Sequence, residues 1–171
     1  MKPHPRHPRF APAGITLIEC AGASIILGLM ITAGLRAAAG AGAAQAVSAR
    51  TLTGTLLAEA LLNEVSSLDY AEPSGATTLG IDAAEIAGNK STFDDVDDFD
   101  YWNESPPKTP DGTGIANMTK WSRSVRVYRS LTNSPESTSA TETGLKRIEV
   151  TVSYSDKVVC TLKALRAADP S

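Results

Sequence analysis

The sequence has few histidines and cysteines, two residue types on which many enzyme centres and metal sites depend. Its 171 residues include two histidines, His4 and His7, and two cysteines, Cys20 and Cys160. The cysteines lack the close spacing of a metal-ligand pair, and their positions, one in an apolar segment and one in a predicted strand, do not favour an intramolecular disulfide. No glycine-rich phosphate loop of the required spacing occurs. Both histidines lie in the proline-rich first 14 residues, so the rest of the chain has no histidine to act as a base for Cys160 or a serine. The sequence therefore predicts a protein that is not an enzyme.

Aromatic residues and net charge are also low. Aromatics make up 5% of the chain, which predicts a small globular core, and a formal net charge of -3 gives no reason to expect a nucleic-acid partner. The charge is unevenly placed: residues 51–119 hold thirteen acidic and two basic side chains, whereas residues 120–166 hold nine basic and four acidic ones. This asymmetry favours an acidic loop lying near basic strands of the same fold, and contact with a partner is the alternative.

The N-terminus begins with a short basic segment that is followed by a long apolar one. Residues 1–14 contain three basic and no acidic side chains, and their four prolines exclude a regular helix. Residues 15–36 are apolar up to Arg36 and carry one carboxylate, Glu19. A helix over this segment is about 30 Å long, the thickness of the hydrocarbon core of a bilayer. A basic flank before an apolar span predicts that residues 1–14 stay in the cytoplasm.

Three interpretations of this apolar segment compete, and Glu19 distinguishes them. The first is a conventional signal peptide that is cut after the three alanines at 37–39. Such a peptide would lack Glu19, because a carboxylate is costly to insert into a membrane. A lipoprotein signal at Cys20 is disfavoured because Glu19 precedes the cysteine and the apolar run follows it. In the third interpretation, cleavage after Gly14 gives Ile15 a positive amine, and the amine of a neighbouring copy neutralises Glu19 during assembly.

Residues 14–19, Gly-Ile-Thr-Leu-Ile-Glu, resemble the cleavage and methylation motif of type IV prepilins and pseudopilins. The resemblance implies that a prepilin peptidase cuts between Gly14 and Ile15, that Ile15 is then methylated, and that Glu19 guides subunit assembly. The chain departs from the usual pattern in having Ile15 where phenylalanine is usual, a leader rich in histidine and proline, and no proline within the apolar segment. Beyond the N-terminal motif, the chain is similar to the family only in layout.

The resemblance implies a structural role for the chain. It implies a minor pilin or pseudopilin subunit of a type IV pilus or type II secretion pseudopilus, with a removed leader at residues 1–14 and no cofactor. The implied partners are the prepilin peptidase, other pilin or pseudopilin subunits and the bacterial inner membrane. The implied location is a single pass through that membrane with the head in the periplasm, and a cell-surface fibre after assembly. The alternative is a secreted or membrane-tethered binding domain with a conventional signal peptide.

Residues 37–70 read as an amphipathic continuation of the apolar helix. Four apolar residues recur at steps of four, four and three, and three more widen this stripe: Leu57, Leu61, Val65 and Leu68, then Leu52, Leu56 and Ala60. The pattern predicts one helix over about residues 15–68, with its second half packed on a head and a stop at 72–75. The alternative is two helices broken near Gly40 and Gly42.

Residues 71–119 read as an acidic loop region. Within it, aspartates alternate with aromatic residues and a valine, and their carboxylates are candidate ligands for a hard cation such as Ca²⁺: Asp94, Asp95, Asp97, Asp98 and Asp100. The segment lacks the glycine and the final glutamate of an EF-hand. The alternative, which the composition favours, is a solvated acidic loop held in place by its aromatic residues.

Residues 120–171 read as an antiparallel sheet. Apolar residues alternate in segments 124–129, 145–154 and 158–165, and residues 155–157 are short enough for a hairpin between the last two. Residues 132–144, rich in serine and threonine, read as a loop without core residues. A helix followed by a sheet predicts an α+β fold of the pilin-like kind, in which the long N-terminal helix packs on a small C-terminal sheet.

Overall fold

A computed structural model describes residues 14–72, 78–83 and 85–168. The predicted leader therefore lies outside the described residues except for Gly14, and so do residues 73–75 of the predicted helix stop. The chain divides into two compact units, Met1–Gln45 and Ala46–Ser171. We call the second unit the head.

The N-terminal half of the chain forms one long helix. Helix α1 runs from Leu17 to Ser66 without a break at Gly40 or Gly42, which confirms the single helix expected over about 15–68. In the first unit its apolar side chains are exposed, among them Leu17, at 89%, and Leu29, at 65%. This part of α1 is long and apolar enough to cross a membrane.

The second part of α1 buries one stripe in the core of the head. The stripe consists of Gly54, Leu57, Ala58, Leu61 and Val65. The prediction that Leu52, Leu56 and Ala60 widen it is wrong, because Leu52 and Leu56 are 62% and 57% exposed and Ala60 is exposed too. At 3.6 residues per turn, Leu52 lies about 140° around the helix from Leu57 and faces away from the sheet.

Gly54 marks the closest approach of α1 to the sheet. A Cβ atom at this position would lie 2.9 Å from Cγ1 of Val159 and 3.5 Å from the Trp121 ring. Any larger residue would push the helix away from the strands beneath it. A glycine that lowers helix propensity is therefore required here by packing.

The sheet of the head is antiparallel. Its strands are β1 (Asn103–Glu104), β2 (Trp121–Leu131), β3 (Ser134–Thr138), β4 (Leu145–Tyr154) and β5 (Lys157–Ala167). They are ordered β1-β2-β4-β5, and β3 pairs with the end of β2. With α1 packed on this sheet, the predicted α+β fold is confirmed. Strand β3 was not predicted, but residues 132–144 contribute no buried side chain, as expected.

Strand register places one apolar row on the helix side of the sheet. Val125 pairs with Val150, and Val150 pairs with Leu162. The hairpin between β4 and β5 turns at Ser155 and Asp156, whose φ angles of 48° and 63° are the left-handed pair that a two-residue hairpin turn needs. The predicted hairpin is thereby confirmed.

The segment between helix and sheet is anchored by aromatic residues. Short 3-10 helices at Lys90–Thr92 and Asp97–Phe99 interrupt the predicted loop. The Phe99 ring lies 5.0 Å from the ring of Phe93 and 5.5 Å from that of Trp102, and all three are buried in the same core as α1. The acidic segment is therefore part of the packed head.

Candidate functional site

The start of α1 is capped by the two polar residues of the Gly-Ile-Thr-Leu-Ile-Glu motif. The backbone N–H of Thr16 donates to Oε2 of Glu19 at 2.7 Å, and the Thr16 hydroxyl donates to the same oxygen at 2.8 Å. In return, the Glu19 N–H approaches Oγ1 of Thr16 at 3.3 Å. This reciprocal arrangement is a capping box, which satisfies donors that the first turn of a helix leaves open.

Only one of the two carboxylate oxygens of Glu19 is used by the cap. Both Thr16 donors go to Oε2, and within the part of the chain that the structure describes Oε1 accepts no hydrogen bond. The side chain is exposed. Glu19 therefore retains an oxygen that could accept from a cationic donor on another molecule.

Gly14 and Ile15 precede the first helical residue and are exposed. Ile15 is 79% exposed, and a Cβ atom at Gly14 would meet nothing within 4 Å. The peptide bond between them thus lies outside α1, just before the N-terminal end of the apolar helix. Neither residue is packed among the described residues, so we expect substitutions at these two positions to leave the head folded.

The acidic segment folds around reciprocal backbone contacts. Asp95 Oδ1 accepts from the backbone N–H of Asp97 at 2.6 Å and of Asp98 at 3.2 Å. Asp98 Oδ2 accepts from the N–H of Asp94 at 3.0 Å and of Asp95 at 3.1 Å. These bonds satisfy buried backbone donors, so the segment is structured by its own carboxylates.

Two further aspartates pair with basic residues of the sheet. Asp97 Oδ1 lies 2.7 Å from the Nζ of Lys146, which is completely buried. Asp100 Oδ1 accepts from Nε of Arg126 and from the N–H of Val127, both at 3.0 Å. The expected meeting of acidic loop and basic strands within one fold is therefore confirmed.

The idea of a solvated acidic loop is wrong. Asp95, Asp97 and Asp98 are buried, and of the five predicted aspartates only Asp94 is exposed. The alternation of aspartates with aromatic residues that suggested a surface loop instead places Phe99 and its neighbours in the core. Burial is tolerated because each buried carboxylate has donors or a cation within reach.

The structure does not bring the five aspartates together as one ligand set. One carboxylate oxygen each of Glu85, Asp94 and Asp98 lie within 4.8 Å of one another, which is the arrangement nearest to a cation site among the described residues. Asp95, Asp97 and Asp100 have the other partners already described. Sequence reasoning missed Glu85, since it lies outside the aspartate-rich run.

Burial and mutual repulsion make two of these carboxyl groups weak acids. Burial first, and then the charges of Asp98 and Asp97, raise the pKa of Asp95 from 3.8 to about 7. Burial first, and then the hydrogen bond with Glu85, raise the pKa of Asp98 to about 7. Both groups therefore gain or lose their proton close to neutral pH in the folded head.

The head is expected to be more stable at pH 5.5 than at pH 8. Between the ordinary aspartate pKa and pH 7 the folded head binds more protons at Asp95 and Asp98 than the unfolded chain does, so stability falls as pH rises through this window. We expect the melting temperature to drop by a few degrees from pH 5.5 to pH 8. Fluorescence of the two tryptophans, Trp102 and Trp121, both buried, reports unfolding of the full chain in detergent.

Asp98→Asn should flatten this pH dependence, whereas Glu59→Gln, at an exposed position on α1, should leave it unchanged. A melting temperature that rises from pH 5.5 to pH 8 would contradict the assignment.

Millimolar calcium is expected to leave the melting temperature at pH 8 unchanged, because three carboxylates fall short of the six to eight oxygens that Ca²⁺ takes. A calcium-dependent rise that Asp94→Asn abolishes would instead identify the Glu85 cluster as a calcium site.

Comparison with known proteins adds no relative. No protein-family model, no curated protein and no solved structure matches this chain. The case for function therefore depends on the residues and geometry described above.

Proposed function

We propose that this chain is the precursor of a type IV pilin-like protein, a minor pilin or pseudopilin that builds a membrane-anchored fibre and has no catalytic role. The observation that carries the proposal is Glu19. It is a carboxylate near the start of an exposed apolar helix, and the cap with Thr16 occupies one of its two oxygens. An intramembrane ionisable residue of this kind calls for a partner that arrives later.

In this proposal the partner is the N-terminal amine of a neighbouring subunit. Cleavage between Gly14 and Ile15 by a prepilin peptidase creates that amine, and methylation keeps its positive charge. Glu19 Oε1 then accepts from the incoming amine while Oε2 keeps its bonds to Thr16. The pairing neutralises a charge that is costly in hydrocarbon, so it favours the assembled over the isolated subunit.

The architecture supports this role. Helix α1 has an exposed apolar first part that is long enough to span a bilayer, and its second part packs on an antiparallel head. Subunits built from these two parts can bury their apolar helices against one another in a fibre while each head stays folded. We propose that, before assembly, the subunit is a single-pass protein of the bacterial inner membrane with its head in the periplasm.

Gly14→Leu tests the processing step. We expect this variant to remain almost entirely uncut and membrane-bound, because the peptidase must seat a small residue next to the scissile bond. The substitution is expected to leave the head folded, since a Cβ atom at Gly14 would meet nothing within 4 Å. The measurement is the mass of the chain after co-expression with a prepilin peptidase.

Gly22→Leu is the matched control, because Gly22 is also free of neighbours within 4 Å but lies eight residues past Gly14. It should be cut at the normal rate. Normal maturation of Gly14→Leu would count strongly against the prepilin interpretation.

A further inference from the structure

Three exposed basic side chains in the head form no ion pair with any residue that the structure describes. Most lysines and arginines of the head are ion-paired within it: Lys90, Arg123, Arg126, Arg129, Lys146, Arg147 and Lys163. Arg50, Lys120 and Lys157 are exposed, and no ion pair involves them within residues 14–72, 78–83 and 85–168. We call these three residues the basic end.

The fold gathers the basic end in one place. The Arg50 guanidinium carbon lies 4.8 Å from the centre of the Tyr154 ring. Tyr154 pairs in register with Lys157 across the β4–β5 turn. The N–H of Ser155, in that turn, donates to the carbonyl of Lys120 at 2.8 Å. Contacts from the helix, from the start of β2 and from the β4–β5 hairpin thus converge at the same end of the head.

Apolar and aromatic groups lie between these charges. Val47 and Val158 are 59% and 66% exposed, and together with Arg50 they line a groove of about 220 Å³. The rings of Trp121 and Tyr154 meet at 5.0 Å beneath them. Exposed valines beside basic and aromatic side chains are the composition of surfaces that lie at a membrane interface.

We propose that the basic end docks on an anionic bilayer surface. Anionic headgroups give a membrane a negative surface potential that attracts clustered lysine and arginine and acts within about one Debye length. The proposal rests on the proposed function, which puts the apolar part of α1 in that bilayer. The sequence has no charged residue between Arg36 and Val47. No charge in this stretch of α1 therefore keeps the basic end away from the bilayer.

A second copy of the chain is a less suitable partner. Its acidic segment is the natural complement by charge, but three of the carboxylates in that segment are already paired with basic residues of their own head. Asp97 pairs with Lys146, Asp100 with Arg126, and Glu104 with Arg123. The acidic segment of a neighbour therefore offers fewer free carboxylates than its composition suggests, whereas an anionic lipid surface offers many negatively charged headgroups.

Reconstitution of the full chain in vesicles tests the docking. A fluorophore is placed at Val158→Cys in a chain carrying Cys20→Ser and Cys160→Ser, and a quencher is attached to lipid headgroups. We expect several-fold stronger quenching in vesicles with about 30% phosphatidylglycerol than in pure phosphatidylcholine. The difference should vanish near 1 M salt, where the Debye length is about 3 Å.

Variants separate the basic end from general charge. Replacing Arg50, Lys120 and Lys157 together with glutamine should abolish the extra quenching, and Lys108→Gln, at another exposed lysine, should preserve it. A fluorophore at Asn133→Cys, beyond the other end of β2, should not respond to lipid charge. Equal quenching in both vesicle types, quenching unaffected by the triple substitution, or quenching that rises with the number of chains per vesicle would each overturn the docking proposal.

Flotation of the same vesicles keeps the two proposals distinct. If the chain floats with both vesicle types but fluorophore quenching does not depend on lipid charge, the proposed membrane span is supported and the docking proposal is wrong. If it floats only with anionic vesicles, the docking stands and the proposed span is wrong. If it floats with neither, both are wrong.

Discussion

Lys146→Ala is expected to destabilise the head by about 3–5 kcal/mol, because it leaves Asp97 buried without its cation. The Lys146 Nζ lies 2.7 Å from Asp97, donates to the backbone carbonyl of Tyr70 and sits 4.2 Å above the Tyr70 ring. The side chain therefore joins β4 to the acidic segment and to the chain that follows α1. A fall in melting temperature on the order of 10 °C or more is the expected readout, followed by tryptophan fluorescence.

Lys163→Ala is the matched control in the same sheet. Lys163 also forms ion pairs, with Glu136 and Glu149, but its side chain is 45% exposed, so its loss should change the melting temperature little. The double substitution Lys146→Met with Asp97→Leu should recover much of the stability lost in Lys146→Ala, since neither partner of this pair is then left buried as an uncompensated charge. If Lys146→Ala melted like the unmodified chain, the acidic segment would not be anchored as described.

Glu19→Gln is expected to prevent incorporation into the fibre while leaving cleavage and membrane insertion intact. Glutamine can keep the cap on the N–H of Thr16, since either Glu or Gln serves in a capping box. What it removes is the charge that pairs with a neighbour's amine. We expect incorporation to fall on the order of tenfold or more, as loss of one partner of a buried charge pair usually entails. Co-purification with the fibre measures it.

Thr16→Val gives the opposite test, because it removes the hydroxyl that donates to Glu19 and keeps the charge. It should weaken the first turn of α1 but allow assembly. If Glu19→Gln entered the fibre normally while Thr16→Val did not, Glu19 would serve only as a helix cap and the assembly role would be wrong.

The helix and the sheet follow from the sequence because their signals are periodic. Leu57, Leu61 and Val65 recur at helical spacing, and buried residues alternate with less buried ones along most of β2 and along β4 from Ile148 onward. The same periodicity misled at Leu52, where an apolar residue close to the stripe in sequence lies on the outer side of the helix. Strand β3 went unpredicted because its serines, threonines and proline are the usual composition of a loop.

The acidic segment could not be predicted from its composition. Whether a run of aspartates is solvated or buried depends on the donors that the tertiary fold supplies, here Lys146 from β4 and Arg126 from β2. Glu85 approaches Asp98 only after the chain has folded back. The cap between Thr16 and Glu19, by contrast, could have been found, because Thr-x-x-Glu before an apolar run is the sequence pattern of a capping box.

The mass of the mature N-terminus tests the central proposal most directly. The full chain is expressed with a prepilin peptidase and an intact membrane system, recovered from the membrane or fibre, and its N-terminal peptide is identified by mass spectrometry. The account predicts a chain that begins at Ile15 with a methylated amine. A chain that begins near Gly40, as a conventional signal peptide would leave, or one that keeps residues 1–14 despite active peptidase, would contradict it.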